Sequence, residues 1–378
     1  MERTAVTIQH VASLAKTSPS TVSNLLNGRT DRMKPETRER IELAMERLNY
    51  RPSQIARQLK TGQTPILGLM VPSVANPFWG EFAQQAEATA REHGYQVLLG
   101  NAGRDVEAEE RYAESLLSLG IRGLIHGSSP LSLEHLGRMA VQGMRVVTFD
   151  HRGASPPSPT PGEDEYDSVS VDNTTIARLA VEHLVALGHR RIGLLSGPLK
   201  TSSRQLRFLG YRDALEAAGI PFDPSLIWEA HGFDGFGDVE GAELGRIGTL
   251  ALAAGDRPPT ALLAINDMFA FGAYAAVREL NLRIPDELSI VGIDDIVFAA
   301  LASPPLTTVR QPLQALLAAA IPRVIARVEG RDKGPAQHQI LPAELVVRGS
   351  TAPPRVDASQ GSSVSGPTVR RCRRTTTR

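Results

Sequence analysis

Along the first sixty residues apolar side chains recur at intervals of three and four, and from residue 65 onward they come in short runs between amphipathic stretches. The first pattern reads as helices. Thr7 can cap a helix in which Ile8, Val11, Ala12 and Ala15 share one side. A break at Thr17-Ser18-Pro19 precedes a second short helix with Val22, Leu25 and Leu26 on one face, and Asn27-Gly28, a pair that tolerates left-handed backbone, ends it. A third helix starts near Pro35 with Glu36 in its first turn, and it buries Ile41, Ala44, Met45 and Leu48 until Asn49-Tyr50-Arg51-Pro52 stops it. Residues 53–60 can also form a helix, but they have little to pack against.

The second pattern reads as strands alternating with helices. Apolar runs at 66–71, 96–99, 123–126, 145–149, 169–171, 192–195, 261–265 and 289–293 are separated by helical spacing, as at 81–93, 107–119, 174–187, 204–218 and 269–280. Such alternation predicts parallel sheets covered by helices. The number of units exceeds one ordinary open sheet and points to two α/β subdomains. A closed eight-fold barrel is the structural alternative. Residues 153–167 (GASPPSPTPGEDEYD) are Pro-, Ser- and acid-rich between two strands and read as an exposed insertion. Residues 349–378 carry almost no bulky apolar groups and read as a disordered tail. No solenoid-type repeat is present.

Composition narrows the class. With 378 residues and 42% apolar content the chain can build more than one core, and an aromatic share of 5% makes those cores aliphatic. No apolar stretch reaches the span of a bilayer, and the start, MERTAVTIQHVASLAKT, lacks the order of a signal peptide. The single cysteine, Cys372, excludes a disulfide framework and a thiolate metal cage. The expectation is a soluble protein of the reducing cytoplasm without a membrane partner.

The formal net charge of zero hides a segregation. Residues 1–62 hold 11 Lys/Arg against 6 Asp/Glu, residues 349–378 hold 6 against 1, and residues 63–348 hold 24 against 34. A basic terminus on an acidic body suits a polyanion-binding module joined to a domain of another purpose; ordinary scatter is the alternative. Catalytic signatures are missing: there is no G-x-S-x-G, H-E-x-x-H or P-loop, and the glycines of 232–241 do not give G-x-G-x-x-G. The nine histidines are scattered, with His183 and His189 lacking obvious metal partners. The reading assigns no catalytic residue, metal or cofactor, and not an enzyme.

Two helices joined by a tight break form a helix-turn-helix pattern. The second helix offers Ser18, Ser20, Thr21 and Asn24, short donors and acceptors suited to base edges or phosphates in a major groove. A small helical cap with a solvated face is the plainer reading. The segment TIQHVASLAKTSPSTVSNLLNG followed by KPETRERIELAMERLNYRPSQIARQLKTGQT resembles the DNA-binding headpiece of the lactose-repressor (LacI/GalR) family, over all of residues 6–62. His10 stands where that family usually has an acidic residue, Thr17 where valine is usual, and Asn24 where several members carry Arg or His.

The resemblance implies a DNA-contact set of Thr7, Ser18, Pro19, Ser20, Thr21, Asn24, Asn27, Tyr50, Leu59 and Lys60. It also makes 53–60 a hinge helix that orders only when two subunits meet over double-stranded operator DNA. Leu59 would then wedge into a central minor-groove step.

The likeness continues over 64–348 through VPSVANPFWGEF, GYQVLLGN, SVSVDN, LGHRRIGLLSGP, INDMFAFGA, IPDELSIVGIDD and LTTVRQP. It implies an α/β fold: an N-terminal helix-turn-helix headpiece with hinge helix at 1–62, then a two-lobed periplasmic-binding-protein-like effector and dimerisation domain at 63–348, with ligand between the lobes. Within that cleft it implies Arg207 and Asp294 as polar contacts and Phe78 and Trp79 as stacking groups. Asp150, Asn266 and Phe233 are further contacts. Purine-sensing members carry an arginine six positions before Arg207, where this chain has Thr201. Aromatic stacking with Arg, Asn and Asp favours a sugar or sugar derivative instead. The function implied is a ligand-responsive repressor binding a palindromic operator as a homodimer, since the tail after Gly349 has no leucine for a tetramer-forming heptad helix. A solute-binding module of a transport system and a purine-responsive repressor are the competing readings.

Overall fold

The computed structural model describes residues 6–26, 29–31, 33–50, 64–128, 134–149, 166–231 and 240–355. Three short helices come first: α1 (Ile8–Leu14), α2 (Pro19–Leu26) and α3 (Pro35–Arg47). They close on a small core of Val11, Ala12, Ala15, Val22, Ile41 and Ala44.

The remainder forms two lobes, each around a six-stranded sheet. Five strands of the first lobe come in sequence, β1 (Ile66–Val71), β2 (Gln96–Asn101), β3 (Gly123–His126), β4 (Arg145–Phe149) and β5 (Asp167–Val171), and a late strand, β11 (His338–Leu341), joins at the edge. Their order is β11-β5-β4-β3-β1-β2, and every pair is parallel. Helices α4 (Pro77–Glu92), α5 (Val106–Ser118) and α6 (Glu134–Val141) connect them. The second lobe holds β6 (Ile192–Ser196), β7 (Ile227–Glu229), β8 (Ala261–Ala264), β9 (Ser289–Asp294) and β10 (Thr307–Arg310), closed by β12 (Glu344–Val346). Its order is β12-β10-β9-β8-β6-β7, with only β12 antiparallel. Helices α7 (Asn173–Ala186), α8 (Ser202–Ala217), α9 (Gly241–Ala253), α10 (Asp267–Glu279) and the short α11 (Val297–Leu301) belong to this lobe. Two open sheets exclude the barrel alternative.

Strands such as β3, β5, β6, β8 and β9 are buried along their whole length, which is why they read as continuous apolar or small-residue runs. The chain crosses between lobes three times: from β5 into α7, from β10 into α12 (Leu313–Val328), and from β11 into β12. Helix α12 returns to the first lobe, packing on α4 and on β3, β4 and β5. Its Arg327 pairs with Asp167 at 2.7 Å and donates to the carbonyls of Gly334 and Pro335, so one buried ion pair pins the return of β11 beside β5.

Two expectations need correction. Asp167, placed in the acidic insertion, is the first residue of β5, and Tyr166 beside it is buried; residues 150–165 lie outside the described residues. Residues 349–355, placed in the tail, belong to the folded body. Ser350 is fully buried; its Oγ donates to the Ile290 carbonyl at 2.6 Å and accepts from the Thr307 amide at 2.8 Å. Thr351 bonds His183 at 2.9 Å, and the Ala352 carbonyl accepts from His189 Nε2 at 2.9 Å. Short polar side chains anchor this segment, so a search for bulky apolar groups misses it. Residues 356–378 lie outside the described residues.

Helices α9 and α10 cross at reciprocal glycine notches. A Cβ on Gly272 would sit 1.9 Å from the Ala242 carbonyl oxygen, and one on Gly245 would sit 2.2 Å from that of Phe269. Gly80, inside α4, has its nearest atom 4.0 Å away. Gly272→Ala is therefore expected to lower unfolding stability by about 1–3 kcal/mol through overpacking against backbone. Gly80→Ala should raise it by about 0.5–1 kcal/mol through helix propensity. Denaturant melts of the two variants check the opposite signs.

Candidate functional site

The headpiece is built from helix ends. Lys16 (φ 49°) and Asn49 (φ 46°) take left-handed backbone immediately after α1 and α3. Around Lys16 the Thr17 amide bonds the Ala12 carbonyl at 2.9 Å and the Lys16 amide bonds that of Ser13 at 3.2 Å; Tyr50 and Asn49 repeat the pattern onto Met45 and Glu46. These paired bonds terminate each helix and set the direction of the chain that follows. At the start of α1, His10 Nδ1 accepts from the Thr7 amide at 3.1 Å. The imidazole thus performs the reciprocal capping that an acidic side chain at that position would perform.

Thr7, Ser18, Pro19, Ser20 and Asn24 are exposed, and Thr21 is half-buried. Ser18 caps α2: its Oγ accepts from the Thr21 amide at 3.1 Å and lies 2.8 Å from the Thr21 hydroxyl. Those two hydroxyls face each other, which leaves Ser20 and Asn24 as the more open polar groups of the second helix. Tyr50 packs against the headpiece core. Asn27, Leu59 and Lys60 lie outside the described residues.

The cleft between the lobes gathers Asn76, Phe78, Trp79, Arg104, Ser203, Arg204, Arg207, Ile265, Asn266, Asp294 and Gln311. Five residues expected there from the sequence, Phe78, Trp79, Arg207, Asn266 and Asp294, meet in this space; Asp150 and Phe233 lie outside the described residues. Arg207, on α8, is 6% exposed. Its Nε donates to Asn173 Oδ1 at 2.8 Å and its Nη1 to the Ile265 carbonyl at 2.7 Å, while Nη2 lies 3.9 Å from Asp294 Oδ1. Asp294 Oδ1 also accepts from Gln311 Nε2 at 2.8 Å. Asn266 Oδ1 caps α10 by accepting from Phe269 N at 3.0 Å, so what it can offer the cavity is its Nδ2 amide.

Phe78 and Trp79 are each 4% exposed and meet edge-on at 5.0 Å, with Phe149 and Phe82 behind them. They form an apolar wall more than a free stacking platform. Three helices aim their N-termini at this space, capped by Asn76 (α4), Thr201 (α8) and Asn266 (α10). Thr201 is fully buried and its Oγ1 accepts from the Arg204 amide at 3.3 Å, so it is a cap and does not line the cavity.

Sequence reasoning missed Arg104, Arg204, Ser203, Asn76 and Gln311. Arg204 lies three positions before Arg207, on the same side of the helix, a spacing that could have exposed it. Arg104 follows Gly103 in a turn with both φ values near +60°, and its Nη1 donates to the Ser128 carbonyl. Behind the cleft Asp267 is fully enclosed: burial and the neighbouring Asp294 charge hold its carboxyl well above the usual range, while Thr308 Oγ1 and the Ile296 amide donate to it.

An N-terminal helix-turn-helix on a two-lobed, three-crossover ligand-binding body defines a class of DNA-binding, ligand-responsive regulators. The bacterial regulatory protein model of the lacI family matches residues 7–53, and that of the periplasmic binding protein-like domain matches 181–351. The HTH-type transcriptional regulator DegA of Bacillus subtilis (strain 168) is 32% identical over 92% of this chain and 98% of its own. The structure of the lac repressor dimer bound to operator and the anti-inducer ONPF superposes with a TM-score of 0.79 at 30% identity, covering 92% of this chain and all of that one. A complex of the transcriptional regulator CelR with cellobiose gives 0.65 at 26%, covering 91% and 99%. The chain belongs to the lacI family of bacterial regulatory proteins. No helix among the described residues is long and apolar enough to cross a membrane.

Lysine cannot reproduce the fork by which Arg207 holds Asn173 and the Ile265 carbonyl together. Arg207→Lys is expected to cost about 1.5–3 kcal/mol of stability, the range for a lost hydrogen bond to a charged group. Chemical denaturation of the full-length protein measures it, and an unchanged midpoint would remove Arg207 from the role of anchor.

Proposed function

We propose that this protein is a cytoplasmic, homodimeric repressor that binds a two-fold symmetric operator and is switched by a small effector of the sugar class carrying an anionic group. The observation that supports the effector class is the described part of the cleft lining, where three guanidinium groups (Arg104, Arg204, Arg207), each already holding a backbone carbonyl, stand with one carboxylate (Asp294). Three helix N-termini directed at the same space add partial positive charge. Asn76, Ser203, Asn266 and Gln311 supply the mixed donors and acceptors that hydroxyl groups need, and Phe78 with Trp79 gives an apolar wall. A phosphorylated sugar or a sugar acid matches that combination better than a neutral hexose. A purine effector is disfavoured by Thr201, whose side chain is engaged as a helix cap.

The dimer and the symmetric operator rest on kinship with the lac repressor, whose dimer binds operator DNA in the compared structure. No turnover of the effector is proposed: the described cleft lining holds no histidine or cysteine, and the Ser203 hydroxyl lies 3.3 Å from that of Thr201.

The deciding experiment selects random duplex DNA on the purified protein at near-physiological salt, where nonspecific phosphate binding is suppressed. A palindrome with a central pyrimidine–purine step is expected. Titrating the selected site with phosphorylated sugars, neutral sugars and purines should then show an affinity change of about 5–150-fold from the anionic sugars alone. A response to purines only would overturn the effector class. Failure to enrich any sequence, with or without a pool of these compounds, would overturn the repressor reading.

A further inference from the structure

In the first lobe, three ionisable side chains far apart in sequence converge beneath the cleft. Glu109 on α5, His126 at the end of β3 and His135 on α6 are only 1%, 1% and 2% exposed. His126 Nε2 lies 2.8 Å and His135 Nε2 2.7 Å from the same oxygen, Glu109 Oε2, and the three ligand atoms fall within 4.8 Å of one another. The imidazole centroids are 5.6 Å apart with their planes 61° apart. Glu109 Oε1 and Ser128 Oγ, two positions beyond His126, are both buried without a well-formed hydrogen bond, and the Ser128 hydroxyl is near enough to the carboxyl to stabilise its charge.

We propose that Glu109, His126 and His135 form a binding site for a divalent first-row transition ion of the zinc type. Two imidazole nitrogens and one carboxylate oxygen are a donor set that zinc favours, whereas Mg²⁺ and Ca²⁺ seek oxygen alone. A hydrogen-bonded imidazole–carboxylate–imidazole network is the competing account. It accounts fully for Oε2, while Oε1 has only the nearby Ser128 hydroxyl, without a well-formed hydrogen bond. A cation drawn between the two rings gives the carboxylate a second partner. Around a tetrahedral zinc, neighbouring ligand atoms stand about 3.3 Å apart at metal–ligand distances of roughly 2.0–2.2 Å. Loading therefore requires the carboxylate to withdraw by about half an ångström, or to present Oε1, and side-chain torsions suffice for either.

The site has a mechanical consequence. His126 leads directly into Gly127, where a Cβ would sit 2.8 Å from the Trp79 ring, and Ser128, whose carbonyl accepts from Arg104. Trp79 and Arg104 both line the effector cleft. An ion held by His126 fixes the strand exit on which that part of the cleft rests.

The test uses full-length protein stripped with a chelator, then equilibrated separately with Zn²⁺ and Co²⁺ and desalted. One retained equivalent per chain is expected, with the visible bands of low-coordinate Co²⁺. Glu109→Gln and His135→Gln should each weaken Zn²⁺ binding by at least about 100-fold, more than the roughly 10–100-fold that loss of an outer-sphere partner costs. His183→Gln should leave it unchanged. Should the buried variants fail to fold, anomalous scattering at the zinc edge from crystals of the loaded wild type places the ion independently. No retained metal, retention undiminished in folded Glu109 and His135 variants, or an anomalous peak elsewhere would each overturn the proposal.

Discussion

Arg207 bonds Asn173 Oδ1 at 2.8 Å and the carbonyl of Ile265 at 2.7 Å, and with those two contacts it ties together the starts of helices α7 and α10 from a third helix, α8. Asn173 is the first residue of α7, immediately after the first crossing between lobes, and Ile265 leads into the capped start of α10. A guanidinium buried to 6% exposure is tolerable only when its donors are matched, and the protein matches two of its three nitrogens without a ligand. The third, Nη2, faces Asp294. Arg207 is thus fixed in the cleft by the protein's own groups, one side-chain amide and one backbone carbonyl.

The same geometry links binding to lobe movement. Asp294 is held by Gln311, which sits between β10 and α12 on the second crossing, as Asn173 sits on the first. Two of the three connecting strands therefore end in residues that touch the cleft or the residues that form it. The Arg207–Asp294–Gln311 arrangement is therefore continuous with the second crossing between the lobes. This arrangement gives a two-lobed body the means to report cleft occupancy to whatever is attached at its N-terminus, provided the two lobe angles differ in affinity for the ligand.

What could be read from the sequence follows from how local each signal is. Strands buried on both faces and helices with one apolar stripe announce themselves, so β1 to β6, β8, β9 and the principal helices of the first half were legible. Helix α9 was not among the helical stretches read from the pattern; its Gly241, Gly245 and Gly248 admit Phe269 and Trp228, so its packing depends on the fold more than on its own apolar spacing. Strand β11 depends on Arg327 and Asp167, 160 residues apart, and no local pattern encodes that pairing. In the cleft, the motifs LTTVRQP and VPSVANPFWGEF were recognised, yet Gln311 and Asn76 were passed over. A side chain's role there depends on which lobe edge faces it, and only the tertiary structure says so. Glu109, His126 and His135 were missed on the same ground, being 17 and 26 residues apart.

The charge of the cleft rests on a residue that never reaches it. Asp267 lies behind Asp294, and Gly292 leaves room for it, since a Cβ there would stand 2.1 Å from its Oδ1. Were both carboxyls ionised, two buried negative charges would confront each other with little water between them; burial of Asp267 resolves the conflict by favouring its neutral form. Asp294 then remains the single acid among the described cleft-lining residues, held at φ 119° with Asp295 beside it at φ 55°. Asp295 is bound in turn by Arg310 at 2.7 Å and Arg348 at 2.6 Å, so its charge is matched outside the cavity and does not offset the arginines within. The charge pattern of the described lining is therefore set in two layers, Asp294 at the surface of the cavity and Asp267 with the Asp295 ion pairs behind it.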